Sequence, residues 1–320
     1  MTEPLRVGVA GYGVMGHRRG ALIDLDPRCE RVAVEDRDFR LLFDHDLDAL
    51  FVCLPNYLAA RATIAGLERG LHVFCEKPPG RDLDDIAAVM RTHENHGGSV
   101  LMYGFNHRYH GSIQRALSIV QSGQLGAILS LNGVYTKTEM EGWRTDRRQA
   151  GGGILLDQGV HMLDLFRLFA GDFERCQSRI RSWGDHPVED DAWAMLETSS
   201  GVVATLHSSA TAQQHRFQLD IALERGEIML SGILSGSMRY APERIVVNGA
   251  VTLDEEFTDD FSFAMETDQF ITAALSPQDV SRGASHQAYA AMALVYRIYC
   301  ADETWKNTYD LCTEPREQPV

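Results

Sequence analysis

The chain has 320 residues and a formal net charge of −15 at pH 7. This acidic balance argues against a general nucleic-acid-binding protein, because contacts to phosphates need a basic surface. The composition is typical of a soluble globular protein, and the length is sufficient for two domains. No apolar run is long enough to span a bilayer, and a strand pattern begins at Leu5 without a signal segment before it, so we expect a cytoplasmic protein without a membrane partner.

Strand and helix patterns alternate through the first part of the chain. Apolar runs predict strands at residues 5–10, 31–35, 49–54, 71–75 and 99–103. Helical patterns separate them at residues 14–25, 57–69 and 82–96. Gly70 is placed to end the second helix, and Asp82 with Asp85 resembles a capping pair at the start of the third. The alternation predicts a doubly wound parallel sheet with helices on both faces.

The rest of the chain shows a different pattern. Helices are predicted at residues 111–121, 263–275 and 286–301. Alternating segments predict strands at residues 128–137, 176–183, 191–197, 202–208, 217–223 and 227–231. The short turns between these strands are typical of a mostly antiparallel sheet. We therefore predict a Rossmann domain over residues 1–110 and an α+β domain with a large open sheet over residues 111–320, with a C-terminal helix free to pack back on the first domain.

A glycine-rich loop follows the first predicted strand and opens the first helix. It contains Gly11, Gly13 and Gly16, with Val14 and Met15 between the last two. Dinucleotide phosphates need a close backbone approach and a helix N-terminus, which this spacing in this context provides. Asp36 lies twenty residues after Gly16 and is placed to bind the ribose hydroxyls of NAD, with Glu35 as an alternative. Arg37 could instead receive the 2′-phosphate of NADP, so NAD is favoured without excluding NADP.

The segment after Asp36 is too short for a complete doubly wound half. About a dozen residues separate Arg37 from Asp48, which is too few for a helix and a further strand. In the strand order 3-2-1-4-5-6 the missing strand lies at the sheet edge. We therefore expect a contiguous sheet that is shortened after strand 2, with a thinner wall around the adenine.

Two further motifs carry groups that move protons. Glu76-Lys77-Pro78 follows the carboxyl end of a predicted parallel strand, where open α/β sheets bind ligands. Asp157 and His161 follow a triple glycine at residues 151–153, which would let the backbone approach a ligand closely. Their spacing of four places both on one face of a helix, where a carboxylate could steer an imidazole of near-neutral pKa. The alternatives are that Lys77 is a surface lysine before a proline turn and that His161 is a histidine of the core.

The remaining polar signals are less specific. The six cysteines are scattered without a C-x-x-C spacing, which indicates reduced thiols rather than disulfides or zinc ligands. His93 and His96 lie at a predicted helix end, where histidines commonly cap, and we predict no metal site. Six basic residues form either a solvated surface or an anion site for a nucleotide sugar, sugar phosphate or sugar acid: His107, Arg108, Lys137, Arg144, Arg147 and Arg148.

Taken together, the motifs resemble the Gfo/Idh/MocA family, which includes glucose–fructose oxidoreductase and inositol dehydrogenase. The resemblance runs through the glycine loop, Leu54-Pro55-Asn56, Glu76-Lys77-Pro78, residues 105–109, Gly142-Trp143-Arg144 and residues 151–161. It implies an N-terminal Rossmann domain and a C-terminal domain with a large open sheet. It also implies that Lys77, Asp157 and His161 are catalytic. His161 would exchange the hydroxyl proton, Lys77 would position the oxygen and the nicotinamide, and Asp157 would hold substrate and lysine.

The implied contacts extend beyond the three catalytic positions. Expected cofactor contacts are Gly11, Gly13, Val14, Met15, Gly16, Asp36, Arg37, Leu54, Pro55, Asn56, Glu76, Lys77, Trp143 and Arg144. Expected substrate contacts are Lys77, Asn106, Arg108, Tyr135, Arg144, Asp157 and His161.

The leading hypothesis is an NAD(P)-dependent oxidoreductase that interconverts a secondary alcohol and a ketone on a sugar, amino sugar, nucleotide sugar or cyclitol. Alternatives are an NAD-dependent glycosidase of the same fold and a non-catalytic NAD(P)-binding regulator. The intact lysine, aspartate and histidine argue against the regulator. The open sheet could pair with a second copy, so a homodimer or homotetramer is expected.

Overall fold

The computed structural model describes residues 3–232, 242–276 and 283–316. The first sheet has five parallel strands in the order β2-β1-β3-β4-β5. These strands are β1 (Leu5–Ala10), β2 (Cys29–Glu35), β3 (Ala49–Val52), β4 (His72–Glu76) and β5 (Leu101–Gly104). They lie within two residues of the predicted strands at every boundary. Four of them are buried apolar runs, whereas the edge strand β2 is only partly buried.

Three helices connect these strands: α1 (Val14–Leu25), α2 (Asn56–Leu67) and α3 (Leu83–Asn95). The Asp82 carboxylate accepts a hydrogen bond of 2.8 Å from the Asp85 amide, which confirms the predicted cap of α3. Gly70 adopts a φ of 74° just beyond α2, as expected of a residue that ends a helix.

The first sheet is shortened, as the spacing after Asp36 predicts. A single 3₁₀ turn at Phe39–Asp44 links β2 to β3, and β3 pairs directly with β1. Leu42 in this turn is fully buried and packs over the sheet beside Gly8, where it partly replaces the missing helix. The lost elements belong to the sheet edge, so their absence leaves the other strands contiguous.

The second sheet has eight strands in the order β13-β12-β11-β10-β6-β9-β8-β7. They are β6 (Ile128–Thr136), β7 (Phe173–Arg181), β8 (Asp191–Thr198), β9 (Val203–Ser209), β10 (Arg216–Leu223), β11 (Gly226–Ser231), β12 (Glu243–Gly249) and β13 (Leu253–Phe257). All neighbours are antiparallel except β6 and β9. The sequence patterns missed β12 and β13, and β13 carries three consecutive acidic residues of a kind that is depleted in strands. Arg244 and Asp254 form a salt bridge across the two strands.

Helices cover one face of the second sheet, and its other face is open. The covering helices are α4 (Gly111–Gln121), α6 (Val160–Ala170) and α8 (Gly283–Ala301). Burial alternates along each strand accordingly. Large apolar side chains also lie on the open face, and Leu129, Trp193 and Met195 are each about half exposed or slightly less.

The C-terminal part of the chain returns to the first sheet. Helix α7 (Ser262–Leu275) packs Phe270 against Phe51 and Phe74, with ring centroids 5.1 and 5.6 Å apart. The described residues also include two short helices, α5 (Arg147–Ala150) and α9 (Glu303–Tyr309), and the sequence patterns predicted neither. No helix within the described ranges is long and apolar enough to cross a membrane.

Candidate functional site

The candidate site lies where the strands of the first sheet end. The glycine loop follows β1, Leu54 and Pro55 follow β3, and Lys77 follows β4. Because these strands are parallel, their carboxyl ends meet at one edge of the sheet, which is where ligands bind in open α/β folds. Residues from the second sheet and its connections approach the same edge.

The three glycines of the loop are required for different physical reasons. Gly11 has a φ of +86°, and a Cβ there would lie 2.6 Å from the Cys53 carbonyl oxygen. A Cβ on Gly16 would lie 2.0 Å from the Gly11 carbonyl oxygen, so the helix can pack on the loop only without a side chain. Gly13 faces open space, with no atom within 4 Å of a Cβ built on it.

This loop fits the pyrophosphate of a dinucleotide. Helix α1 begins at Val14 without a side-chain cap, and no acidic side chain lies in its first turn. The first amides of α1, among them those of Val14 and Met15, are therefore free of an acidic competitor for an anion. The open space at Gly13 lies at the same helix N-terminus, where a phosphate gains both the amide hydrogen bonds and the helix dipole.

Asp36 lies at the end of β2, beside the loop. Its carboxylate is exposed and accepts a hydrogen bond of 2.8 Å from the Tyr12 amide. Arg37 is exposed next to it. This hydrogen bond uses Oδ1 of Asp36, and no contact with Oδ2 is found among the described residues.

Asp157 lies at the centre of a cluster of positive charges. Lys77 donates to the Asp157 main-chain oxygen at 2.6 Å and lies 3.4 Å from its Oδ1. Lys137 donates to Oδ2 at 2.6 Å, and Arg144 Nε lies 3.8 Å from the same oxygen. The sequence patterns place Lys137 only in a possible anion site, although its contact with the Asp157 carboxylate is shorter than that of Lys77.

Burial and the charges of this cluster shift the pKa values of both Lys77 and Asp157. Burial lowers the pKa of Lys77, and the charges of Arg144 and Lys137 lower it further, while Asp157 opposes these effects. Burial disfavours the ionised form of Asp157, but the three cations outweigh burial and hold the pKa of its carboxyl far below the usual range. Asp157 is therefore ionised at all physiological pH values.

His161 lies in a different environment from the one expected. Its ring is buried and stacks on the His107 ring, with centroids 3.8 Å apart. Its Nδ1 has no hydrogen-bond partner among the described residues. Burial, together with the charges of Lys77 and His110, lowers the pKa of His161 well below 6.5, so the expectation of a near-neutral pKa is wrong.

The expected steering of His161 by Asp157 is also absent from the described contacts. Asp157 lies in a π-helical turn at Leu155–Gly159, and His161 lies in α6, which begins at Val160. The Asp157 carboxylate contacts the two lysines, while the His161 ring stacks on His107.

His107 links several predicted substrate residues into a buried network. Its Nε2 lies 2.9 Å from the Tyr135 hydroxyl, and its Nδ1 lies 3.2 Å from Asn106 Oδ1. The Asn106 amide donates to Ser262 Oγ at 3.0 Å. Asn106 and Tyr135 therefore orient the ring on which His161 stacks. The motif around residues 105–109 was the available signal for His107, which the sequence analysis did not assign to the catalytic site.

Other predicted contacts are engaged within the protein. Arg108 forms two hydrogen bonds with Asp164, at 2.6 and 2.5 Å. Glu76 is buried and accepts a hydrogen bond of 2.8 Å from Arg19. The Asn56 amide donates to the Ala150 carbonyl at 2.8 Å, which joins α2 to the chain before the triple glycine.

The six basic residues do not form one anion site. Lys137 and Arg144 reach Asp157, whereas Arg108 pairs with Asp164 and Arg147 lies over the Tyr309 ring at 3.9 Å. Trp143 lies beside Arg144, whose guanidinium is 4.6 Å from a Trp143 ring centroid. The histidine pair at the end of α3 binds main-chain oxygens of Ser99 and Thr92. The described residues contain no group of three or more metal-binding side chains.

The triple glycine is explained by protein packing rather than by a ligand. Cβ atoms on Gly151, Gly152 and Gly153 would lie 2.1 Å from the Arg81 oxygen, 2.3 Å from the Tyr299 hydroxyl and 1.8 Å from the Glu189 oxygen. We expected these glycines to let the backbone approach a ligand. In the structure they instead let three other chain segments approach the backbone closely. This approach holds the turn that carries Asp157.

Family models match two parts of the chain. The model of the GFO/IDH/MocA C-terminal domain matches residues 113–229, and the model of the oxidoreductase family with an NAD-binding Rossmann fold matches residues 35–105. Together they cover more than half of the 320 residues. The chain therefore belongs to the Gfo/Idh/MocA family of NAD(P)-binding oxidoreductases, which confirms the family and fold class expected from the motifs.

Relatives of known activity share this family. D-xylose 1-dehydrogenase (NADP⁺) 2 of Haloferax volcanii is 29% identical over 82% of this chain and 81% of its own length. The matches to three other relatives span only 53 to 55% of their lengths. A 3-ketoreductase from Actinomadura kijaniata, solved with NADP and TDP-benzene, superposes with a TM-score of 0.82 at 22% identity over 93% of this chain and 98% of its own. Levoglucosan dehydrogenase in complex with NADH gives a TM-score of 0.79 at 20% identity over 95 and 98%.

Proposed function

We propose that this protein is an NAD(P)-dependent oxidoreductase that interconverts a secondary alcohol and a ketone on a sugar or a sugar-like cyclitol. The observation that carries the proposal is the contact of Lys77 with Asp157 at the strand edge that also carries the glycine loop. His161 lies close enough for the Lys77 charge to lower its pKa. A bound nicotinamide would supply hydride exchange at this edge.

The residues of the site have distinct roles in this proposal. Lys77 holds a proton and orients the substrate oxygen, and Asp157 keeps the lysine side chain in place and in its charged form. In the direction of oxidation, His161 accepts the hydroxyl proton while the neighbouring C–H bond loses its hydride. A neutral imidazole is ready for this step, and the lowered pKa of His161 keeps it neutral near pH 7.

The named relatives support a carbohydrate substrate. They include D-xylose 1-dehydrogenase, levoglucosan dehydrogenase and D-glucoside 3-dehydrogenase. These three names share a saturated polyhydroxylated ring as substrate. The buried and charged surroundings of Lys77 suit such a ring, because its hydroxyl groups can satisfy several polar side chains at once.

For the cofactor we propose a preference for NAD. Asp36 faces the loop with a free carboxylate oxygen, which accepts from ribose hydroxyls and repels a 2′-phosphate. Arg37 beside it reduces this repulsion, so the preference is modest. One related structure contains NADP and another contains NADH, so the family includes proteins that bind either cofactor.

We also propose a homodimer or homotetramer formed through the open face of the second sheet. On this face Trp193 stacks on His207, with ring centroids 3.7 Å apart, and His207 in turn bonds Asp191 at 2.8 Å. Trp193 nevertheless remains half exposed. A rigid aromatic side chain of this kind is a typical anchor at the centre of an interface. Sedimentation of wild type and Trp193→Ala tests the interface. A wild-type protein that sediments as a monomer, like the variant, would contradict the proposal.

The activity is tested with a panel of D-xylose, D-glucose, methyl glucosides, levoglucosan and myo-inositol, each with NAD⁺ and with NADP⁺. We expect at least one sugar to produce reduced nicotinamide that accumulates in proportion to product. Hydrolysis of a glycoside without net reduction would instead indicate the glycosidase chemistry. Absence of both reactions, with bound cofactor, would contradict the proposed function.

Lys77→Ala and His161→Ala test the assigned roles. Loss of a general acid or base lowers the rate by about 10²–10⁴-fold, so both variants should turn over poorly while binding NADH like wild type. Lys306→Ala is a matched control, because Lys306 is exposed and lies on α9. A kcat near that of wild type in both site variants would overturn the assignment.

A further inference from the structure

Glu189 is a fully buried carboxylate that contacts the turn leading to Asp157. Its side chain accepts hydrogen bonds from the Gly153 amide at 2.8 Å, the Leu155 amide at 3.0 Å and the Tyr299 hydroxyl at 2.6 Å. Its main-chain oxygen accepts from the Ile154 amide at 2.9 Å. Three consecutive amides at the start of this helical segment are thus bound by one residue that lies more than thirty positions later in the chain.

The amides bound by Glu189 connect directly to the candidate site. The Gly153 carbonyl accepts from the Asp157 amide at 2.8 Å, and the Asp157 carbonyl accepts from Lys77 Nζ at 2.6 Å. Hydrogen bonds therefore link the Glu189 carboxylate to the Lys77 ammonium through the backbone of two residues, Gly153 and Asp157. The position of the oxygen that holds Lys77 depends on the position of the turn.

The turn has little freedom to take another position. Gly152 approaches the Tyr299 hydroxyl and Gly153 approaches the Glu189 main chain so closely that neither residue could carry a Cβ. Among the described residues the Glu189 carboxylate forms no salt bridge, and its side-chain hydrogen bonds come from two amides and one hydroxyl. Burial raises the pKa of Glu189, while the Tyr299 hydroxyl, the Gly153 amide and the charge of Arg147 act in the opposite direction.

We propose that Glu189 is a positioning residue, which fixes the Gly153–Leu155 turn and thereby sets the place and the protonation of Lys77. This role rests on the proposed function of Lys77. Glu189 reaches neither the glycine loop nor Asp36 by any described hydrogen bond, so its effect is on the reacting end of the site and not on cofactor affinity.

Glu189→Gln tests the proposal. The glutamine side chain has nearly the same size, but its NH₂ group is a donor and cannot accept a hydrogen bond from one of the bound N–H groups. The chain contains three lysines, Lys77, Lys137 and Lys306, so their reactivities can be measured separately. Competitive acetylation with acetic anhydride over a range of pH, read by peptide mass spectrometry, reports each amine without any substrate. We expect Lys77 to react about threefold to tenfold faster in the variant, which is the worth of one hydrogen bond, while Lys306 is unchanged.

With a sugar that wild type oxidises, Glu189→Gln should lower kcat by about tenfold to a hundredfold, because a small misplacement of a reacting group has this effect. The KM for the sugar and the Kd for NADH should change by less than about threefold, which is smaller than the loss of a typical hydrogen bond. Tyr299→Phe removes one of the three hydrogen bonds and should give a smaller change in the same direction, which keeps the test open if Glu189→Gln does not fold.

Asp190→Asn is the matched control. Asp190 is the next residue, is also buried, and accepts hydrogen bonds from the Trp183 and Gly184 amides, far along the chain from the turn. The Asp190→Asn variant should leave the reactivity of Lys77 and kcat unchanged, even if the substitution lowers the melting temperature. Unchanged Lys77 labelling in folded Glu189→Gln would overturn the proposal. Labelling that changes while wild type oxidises no sugar would support the role of Glu189 and contradict only the proposed reaction.

Discussion

Lys137 Nζ lies 2.6 Å from Asp157 Oδ2, a shorter contact than the 3.4 Å between Lys77 Nζ and Asp157 Oδ1. Two of the three lysines of the chain thus bind one carboxylate. With Arg144 beside them, the three cations exceed the charge of Asp157. The protonation of Lys77 is therefore set by Lys137 and Arg144 as well as by its aspartate.

Lys137→Met should raise the pKa of Lys77. It removes a positive charge that lowers this pKa, and it frees Asp157 to interact with Lys77 alone. The ammonium form then persists to higher pH. If Lys77 acts as the ammonium, the basic limb of the kcat/KM profile moves to higher pH in the variant. Lys306→Met carries the same chemical change outside the site and should leave the limb in place. A basic limb that moves to lower pH in Lys137→Met would contradict this account.

Gly13→Val should weaken cofactor binding strongly without disturbing the fold. The added side chain enters the space proposed for the pyrophosphate, where the protein itself has no atom within 4 Å. We expect NADH affinity to fall by about tenfold or more in calorimetry, with a melting temperature within about 2 °C of wild type. Gly97→Val is the control, because Gly97 also faces open space, but beyond the end of α3. Equal NADH affinity in Gly13→Val and wild type would refute the assigned site.

Asp36→Asn should shift cofactor preference toward NADP. The carboxylate repels a 2′-phosphate, and neutralising it removes a repulsion that amounts to about 1 kcal/mol or more at close range. The ratio of NADPH to NADH affinity should therefore rise about tenfold. Asp38→Asn changes the charge two residues away, where the carboxylate already pairs with Arg40. The same shift in both variants would mean that Asp36 does not face the ribose.

Glu266 should make the protein less stable as the pH rises. This carboxyl is fully buried against Arg19 and close to Glu76, and burial is the main reason that its pKa rises from 4.5 to about 8. Between these two values the folded state holds a proton that the unfolded state has released. The free energy of unfolding should therefore fall by roughly 1 kcal/mol per pH unit across this window from this group alone.

Glu266→Gln mimics the protonated carboxyl and should flatten this pH dependence. Urea unfolding at the two ends of the window measures the difference for each protein. Glu30→Gln, at an exposed position on β2, should keep the slope of wild type. A wild-type stability that rises through the window, or a slope that persists in Glu266→Gln, would contradict the assignment.

Local patterns were enough to predict much of this fold. Buried strands are apolar runs that end in turn residues, so β1 to β5 could be placed, and the count of residues after Asp36 excluded a further helix and strand. The same reasoning located the glycine loop and Lys77, because the end of a parallel strand defines an edge of the sheet. Acidic β13 was missed, since its strand character depends on pairing with β12 and not on its own residues.

The details of the candidate site depend on contacts between distant parts of the chain. Lys137 reaches Asp157 from β6, and His107 stacks on His161 from the end of β5. Glu189 binds the turn after Gly153 from the start of β8. The spacing of Asp157 and His161 does not reveal that Asp157 lies in a π-helical turn or that the two side chains contact different partners. Burial and neighbouring charge set their pKa values, and both arise only when the two sheets and their connecting segments pack together.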